Sequence, residues 1–489
     1  MMKTFRALVC FGSLAMSLAG VAIAQRPDAN PAIEQAMQAV RDATPKAESD
    51  PARPMYHFHP PAQWMNDPNG PVFHNGYYHM FYQHNPYADS WEHMHWGHAR
   101  SKDLAHWEHL PIALWPSKEL GENHCFSGCA TRLPDGKPII FYTSIGDRLP
   151  EQWAALPLDD DLLTWQKHPK NPFFTEALHP HKVYEWRDPY AFQAGGKTWL
   201  VCGGNLNKSE GGQAAVSLYR AEDPELTQWT FVSTLFQHPD AAIKNIECPN
   251  FVRVGDKWVL IISPHGPVQY FMGTFDPDKA TFTWDTRGIV DHGTYYAPNG
   301  LYDESGRHIL WGWLNGFPPE KGWNGCLSLP RVLSIDQGML VQTPAPELAV
   351  LRGNGSKLEN LQIANASQLL AEGDMLELRV TLAMNGAAAA GLHVRRSANG
   401  TGGATIRLTN DAIDVAGTKA SVPEPIGNRA IDLIVYLDKS VMEVYADGGR
   451  VCVTRVIDAP PDAQRLELFS EGGATTFVRA ESWPMSAIW

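Results

Sequence analysis

Asp67, Asp188 and Glu247 are the residues of this chain whose types and spacing could do chemistry. Each leads a short motif: Asp67-Pro-Asn-Gly, Asp188-Pro-Tyr-Ala and Glu247-Cys-Pro-Asn. Each motif then runs through an apolar, aromatic stretch to a glycine turn. Two more copies lead with Ser127 and Ala297, and the five copies follow one another at roughly sixty-residue intervals, the last one shorter. If such repeats close into a ring, their lead residues meet near its axis. Like charges held close raise one another's pKa. A converging set can therefore hold one acid ionised and keep another as a proton donor, which is what cleavage of a glycosidic bond requires. A single Asp-Pro more often caps a turn; three acids at one repeat phase point beyond that.

A second marker keeps the same period. Asp103-Leu-Ala-His-Trp107, Asp161-Leu-Leu-Thr-Trp165, Asp223 to Trp229 and Asp278 to Trp284 each read as a turn that feeds an outer strand. Two markers with one period predict a repeat of four strands and their turns, which is a propeller blade. The expected architecture is all-β: a five-bladed β-propeller over 54–345, then a β-sandwich over 350–489. The sandwich is read from largely alternating segments such as Leu376-Glu-Leu-Arg-Val-Thr-Leu and Ile431-Asp-Leu-Ile-Val-Tyr-Leu. Asp438-Lys-Ser marks a tight hairpin turn within it.

Composition narrows the class. Among 489 residues, 37 Pro, 41 Gly and 17 Trp suit short strands and many turns. The net charge of −13 without a Lys/Arg block argues against a nucleic-acid partner. Residues 1–24 read as a signal peptide: Lys3 and Arg6, an apolar core from Leu8 to Val21, and Ala22-Ile23-Ala24 as the cleavage site. The mature chain is expected to be secreted or periplasmic, cleaved after Ala24, with no later membrane segment. Residues 25–53 read as a flexible leader or linker holding a short helix, with Asn30-Pro31 at its start and Ile33, Met37 and Val40 on one face.

Once Cys10 leaves with the signal, Cys125, Cys129, Cys202, Cys248, Cys326 and Cys452 are too scattered for a disulfide scaffold. They read mostly as buried thiols, with one disulfide left open. His57, His59, His93, His95, His98, His106 and His109 are dense, yet no carboxylate motif accompanies their spacing. They read as packing or pocket-rim groups, so neither metal nor cofactor is expected. Trp64, Trp91, Trp96, Phe126 and Trp186 offer faces for sugar rings, although for any one of them core packing is the stronger reading, and Asn66, Gln83, Ser127 and Arg187 offer hydroxyl-binding groups. A Gly-x-Ser-x-Gly nucleophile elbow is absent.

Trp64-Met-Asn-Asp-Pro-Asn-Gly70, Phe126-Ser-Gly128, Glu185-Trp-Arg-Asp-Pro189 and Glu247-Cys-Pro249 occur in that order, with Phe81-Tyr-Gln-His-Asn-Pro86 and Gly322-Trp-Asn-Gly-Cys-Leu-Ser-Leu-Pro-Arg331 beside them. From about residue 54 to its end the chain resembles glycoside hydrolase family 32, the invertases, levanases and inulinases. The resemblance implies a retaining hydrolase that releases terminal β-D-fructofuranosyl units from sucrose or from fructans such as levan and inulin. It implies Asp67 as nucleophile, Glu247 as acid and base, and Asp188 as stabiliser of the oxocarbenium-like transition state. Cys248 would help keep Glu247 protonated. Trp64, Met65, Asn66, Gln83, Trp91, Phe126, Ser127 and Arg187 carry over as fructose-pocket residues, and Tyr296 and Trp313 carry over from the loosely matching fifth blade.

Two departures fall where the leaving group would bind and leave substrate preference open. Glu92 follows Trp91 where the family often has Gly, and the Asn205–Gln213 loop carries no family motif. A fructosyltransferase on the same fold is the nearer alternative reading. A fructan-binding protein without catalysis is the farther one, and the presence of all three acids argues against it.

Overall fold

The computed structural model describes residues 30–206, 212–427 and 429–489. The expected signal peptide and most of the Asn205–Gln213 loop lie outside these residues. The described chain is nearly all β. Five sheets, each built around four strands, form the blades, and their innermost strands are Gln63–His74, His124–Arg132, Val183–Ala194, Glu247–Val254 and Tyr295–Tyr302. Each inner strand contacts the next, and the fifth contacts the first, so the sheets close into a ring. The second strands, such as Pro138–Ile145 and Lys257–Ser263, are nearly continuous apolar runs because neighbouring blades cover both their faces. The outer strand Thr281–Ile289 instead alternates between exposed and covered residues.

The segment after blade five seals the ring. Trp323–Asn324 runs parallel to Gln63–Trp64. Gln63 N donates to Gly322 O at 2.7 Å and Leu327 N to Phe58 O at 2.8 Å.

The second sequence marker has a physical cause. Leu104, Leu162 and Leu226 each adopt a left-handed turn conformation before the outer strand. The Trp165 and Trp229 indoles donate to the Leu162 and Leu226 carbonyls at 2.9 Å. The acids that fasten these turns are Asp103, Asp159, Asp223 and Asp276, which accept backbone N–H groups. In blades two and four the capping acid therefore stands two residues before the Asp161 and Asp278 suggested by the spacing.

The leader is more ordered than its composition suggested. Pro31–Glu48 is an 18-residue helix, with Asn30 accepting Ala32 N at 3.0 Å. It buries Ala36, Val40 and Ala47, and it contacts the first and fourth strands of blade one. Just beyond it, Asp50 accepts the Trp323 indole N–H at 3.0 Å.

The C-terminal sheets form a sandwich-like unit joined by two long strands, Ser356–Glu372 and Arg465–Pro484. The first part of Arg465–Pro484 pairs with Ala389–Arg396 and the second with Met375–Ala383. Gly472 and Gly473, both at positive φ, lie where the partner changes. The unit has an apolar core of its own, and a further cluster packs its Tyr436, Tyr445, Cys452 and Met485 against Phe58, Met80 and Trp311 of the propeller.

A buried polar network fastens this unit to the propeller. Asp438, in the hairpin read from the sequence, accepts the backbone N–H groups of Met55, Tyr56 and His57 and the His57 ring at 2.9 Å. The other His57 nitrogen meets Glu443 at 3.1 Å, and Glu443 also receives Arg331 at 2.7 Å. Arg331 reaches Asp291 at 2.9 Å and lies over the Tyr295 and Tyr445 rings. Burial opposes the His57 charge, but its two carboxylate partners outweigh burial and raise its pKa to about 9. Burial likewise works against ionised Glu443, yet Arg331 and His57 hold it down at about 2.

This charge distribution sets a pH dependence. The stabilisation from His57 is complete below its ordinary value of 6.5 and is lost as pH rises through about 9. His57→Gln should therefore lower the Tm most below pH 6.5, and the gap to wild type should narrow across that window. Thermal denaturation followed over pH tests this; a gap independent of pH would show that the imidazolium charge is not its source.

Candidate active site

The side chains at the channel mouth are aimed by one local device repeated five times. In every inner strand the ladder to its neighbour is interrupted by a β-bulge, at Met65–Pro68, Cys125–Gly128, Arg187–Tyr190, Glu247–Asn250 and Tyr296–Asn299. A bulge bends its strand and re-aims side chains. Asp188, Cys248 and Ala297, each followed by proline, take φ of 62°, 46° and 46°. Such values are uncommon outside glycine.

The bulges also correct the phase of the repeat. Aligned on the X-Pro pairs, Asp67 and Asp188 correspond to Cys248 and Ala297. Glu247 stands one residue earlier, in the place of Asn66, Arg187 and Tyr296. The three acids converge, but they do not occupy one equivalent position.

Their surroundings differ. Asp67 is partly exposed, and its two oxygens accept Ser127 Oγ at 2.5 Å and Asn66 Nδ2 at 3.0 Å. Asn66 in turn accepts the Trp64 indole N–H at 2.7 Å, so one chain of hydrogen bonds orients Asp67. Asp188 is only 5% exposed and accepts Cys248 N at 2.8 Å, while its own N–H donates to Thr143 Oγ1 at 3.0 Å. Glu247 is partly exposed; Arg187 donates to Oε1, and Tyr296 OH donates to Oε2 at 2.6 Å. Arg187 is also held by Glu185 at 2.8 Å and lies 4.0 Å from Asp188.

Electrostatics follow from this placement. Burial raises the Asp67 pKa, against the hydrogen bonds from Ser127 and Asn66. Burial raises Asp188 to about 7; Arg187 opposes the shift, and Glu247 and Asp67 add to it. Burial works against the Arg187 charge, but Asp188 and Glu247 prevail and hold its pKa above the ordinary value. The Cys248 thiol is pushed well up by burial and by Asp188 and Asp67, which keeps it an S–H group.

Several expected pocket residues lie at this mouth. Trp91 is 48% exposed, stacks on His124 and meets Phe126 edge-on. Trp64 meets Trp313 edge-on at 5.7 Å. Asn66, Ser127, Arg187 and Tyr296 bond to the acids directly. Gln83 is 2% exposed and donates to Cys125 O at 2.8 Å, so it braces the first two blades against each other.

Two expectations from the resemblance, for Met65 and for Cys248, are overturned. Met65 is fully buried in apolar core and presents no side chain to a sugar. Trp96 and Trp186 are also buried, with their indole N–H groups bonded to Phe126 O and Tyr219 OH. Cys248 Sγ contacts Asp67 Oδ2 at 3.4 Å and Asp188 Oδ2 at 3.5 Å, so the thiol serves the two aspartates. The six cysteines are free and buried. The dense histidines go to packing: His59 faces Arg53, His79 pairs with His98 at 3.0 Å, and His57 belongs to the domain interface.

Sequence reasoning missed Thr143, His124 and His265. Thr143 and His124 follow no marker, because their roles come from a neighbouring blade. His265 had a faint signal in Ser263-Pro-His-Gly-Pro267, a turn that ends a strand of the Glu247 blade.

Residues 57–344 match the glycosyl hydrolases family 32 N-terminal domain, and residues 347–484 match the glycosyl hydrolases family 32 C terminal. The chain is 29% identical to the sucrose-6-phosphate hydrolase of Escherichia coli, over 88% of this chain and 94% of that protein. It is 31% identical to the levanase of Bacillus subtilis, over 89% of this chain and 71% of that one. The crystal structure of fructan 1-exohydrolase IIa from Cichorium intybus in complex with 1-kestose superposes with a TM-score of 0.82 at 27% identity, covering 90% of this chain and 98% of that one.

The opposition between Arg187 and burial at Asp188 can be measured. Arg187→Met should raise the Asp188 pKa above its value of about 7. Infrared titration of the carboxyl band would then show a protonated acid persisting to higher pH than in wild type. An unchanged midpoint would mean that burial alone sets it.

Proposed function

The chain belongs to glycoside hydrolase family 32 and is a glycosidase that hydrolyses fructosyl bonds of sucrose or fructans; from that premise we propose how its own residues perform the reaction. One observation carries the assignment: Asp67 and Glu247 are partly open at the channel mouth, whereas Asp188 is buried and fixed by a backbone N–H. A double displacement needs two accessible carboxyl groups with opposite tasks.

Asp67 attacks the anomeric carbon and forms a fructosyl-enzyme. Ser127 and Asn66 support this role by stabilising its ionised form and fixing its direction. Glu247 protonates the departing oxygen and then deprotonates the incoming water, one residue serving both steps by microscopic reversibility. Tyr296 and Arg187 hold it for that exchange. Asp188 stays at the floor, where it holds ring hydroxyls and stabilises the oxocarbenium-like charge. Trp64, Trp91 and Phe126 wall the fructosyl unit.

Action on terminal β-D-fructofuranosyl units with retained configuration belongs to the same proposal. So does export: the basic start, apolar core and Ala22-Ile23-Ala24 support a chain cleaved after Ala24 and delivered outside the cytoplasm. Sequencing of the mature N-terminus should then begin at Gln25.

Asp67→Asn should reduce kcat/KM on sucrose and inulin by three or more orders of magnitude, roughly the cost of losing a nucleophile. Glu247→Gln should also abolish hydrolysis, and both variants should keep the wild-type circular dichroism. Near-normal cleavage by Asp67→Asn would overturn the mechanism. Resolving the products from sucrose, inulin and levan completes the test: fructose alone from fructan ends indicates exo-hydrolysis, early oligomers indicate endo action, and longer products indicate transfer.

A further inference from the structure

His265 stands beside the proposed acid, and the mechanism above gives it no task. It lies in the turn between Lys257–Ser263 and Gln269–Asp276 of the Glu247 blade. Its φ is 59°, a left-handed value for a residue with a side chain, and its side chain is 57% exposed. Strained backbone of this kind persists where the surroundings enforce it and clusters at functional sites. Two contacts enforce it here. His265 N donates to Tyr296 OH at 3.1 Å, and Asn245 Nδ2 lies 3.3 Å from the ring Nε2. The same Nε2 is 3.6 Å from Glu247 Oε1.

The other polar groups around Glu247 already have partners. Arg187 and Tyr296 hold its two oxygens, and Tyr296 OH is shared with the turn. Two groups remain uncommitted: the open side of the His265 ring and Asn245 Oδ1. Asn245 is 8% exposed, and its Oδ1 has no hydrogen-bond partner among the described residues. A buried carbonyl without a partner costs free energy unless a ligand or water satisfies it.

An acid that protonates the glycosidic oxygen must touch that oxygen, so the departing sugar is held beside whatever flanks the acid. We propose that His265, oriented by Asn245, hydrogen-bonds hydroxyls of the leaving sugar and so sets which fructosides are accepted. The inference rests on Glu247 as the acid. With Nε2 accepting from Asn245 Nδ2, the ring offers Nδ1–H on its open side as a donor to a sugar hydroxyl oxygen. Sites built to bond a substrate hydroxyl discriminate strongly against analogues that lack it.

The test compares two substrates that share the fructosyl group and differ in the leaving group: sucrose and methyl β-D-fructofuranoside. His265→Gly removes the ring and keeps a residue at ease with positive φ. The variant should lose about tenfold or more in kcat/KM on sucrose and stay within about twofold of wild type on the methyl fructoside. Asn245→Ala should shift the ratio in the same direction by less. Equal losses on both substrates would overturn the proposal, because His265 would then act through Glu247; so would no loss on either. A wild-type enzyme that cleaves neither compound would instead overturn the assignment of function.

Discussion

Three carboxyl groups sharing one pocket cannot all be fully charged at neutral pH, and the centre of this molecule is organised around that constraint. Two unit charges about 4 Å apart repel by about 4 kcal/mol at the effective dielectric typical of protein sites. Such repulsion from Glu247 and Asp67 adds to the burial that moves Asp188 to about 7, and Arg187 opposes it. The protein answers by giving each acid different company. Asp188 goes to the floor with a backbone N–H and Arg187 nearby; Asp67 receives a hydroxyl and an amide; Glu247 receives a guanidinium and a phenol. Arg187, beside two of the three, is the only full positive charge bonded to this group among the described residues.

The fold meets the constraint by supplying many seats and charging few of them. Each bulge offers a lead residue and the one before it: Asn66 and Asp67, Phe126 and Ser127, Arg187 and Asp188, Glu247 and Cys248, Tyr296 and Ala297. The domain interface solves the same problem in the opposite way. There Asp438, Glu443 and Asp291 share two cations, His57 and Arg331, in a fully enclosed network, and backbone N–H groups also meet Asp438 and Asp291. Two cations for three acids hold two bodies together there, whereas the three acids at the mouth share a single guanidinium. A buried pair broken on one side is costly because it strands a charge, so the interface depends on both of its cations.

Much of this was legible in the sequence, because a ring of similar blades writes its period into the chain. The five blades, the sandwich and the convergence of three acids followed from spacing and alternation. Local aim did not. Met65 and Asn66 are neighbours, yet one faces core and the other faces Asp67, since a bulge changes which side each residue takes. Trp96 and Trp186 fill the space between sheets, the stronger reading for any single aromatic, but period alone did not say which of the five would do so. Asp438 read as a turn residue; its partners Tyr56 and His57 are some 380 residues away, so no local pattern could reveal that it joins the domains. The leader looked flexible by composition, and its order comes from a docking surface that only the closed ring provides.

The off-phase position of Glu247 follows from the same electrostatics. The lead seats of blades one and three already hold Asp67 and Asp188, and the lead seat of blade four, Cys248, lies against both through its thiol. A carboxylate in that seat would bring three acidic groups around one point, with no room for a cation between them. Shifting the acid back by one residue takes it across the bulge to the seat that Arg187 occupies in blade three. There the two side chains meet directly, sixty residues apart in sequence. Cys248 then fills the crowded seat with a neutral S–H group that can face two aspartates without adding charge. The irregularity in the repeat is thus what lets three acids share one pocket: the period brings them together, and a one-residue departure keeps them chemically distinct.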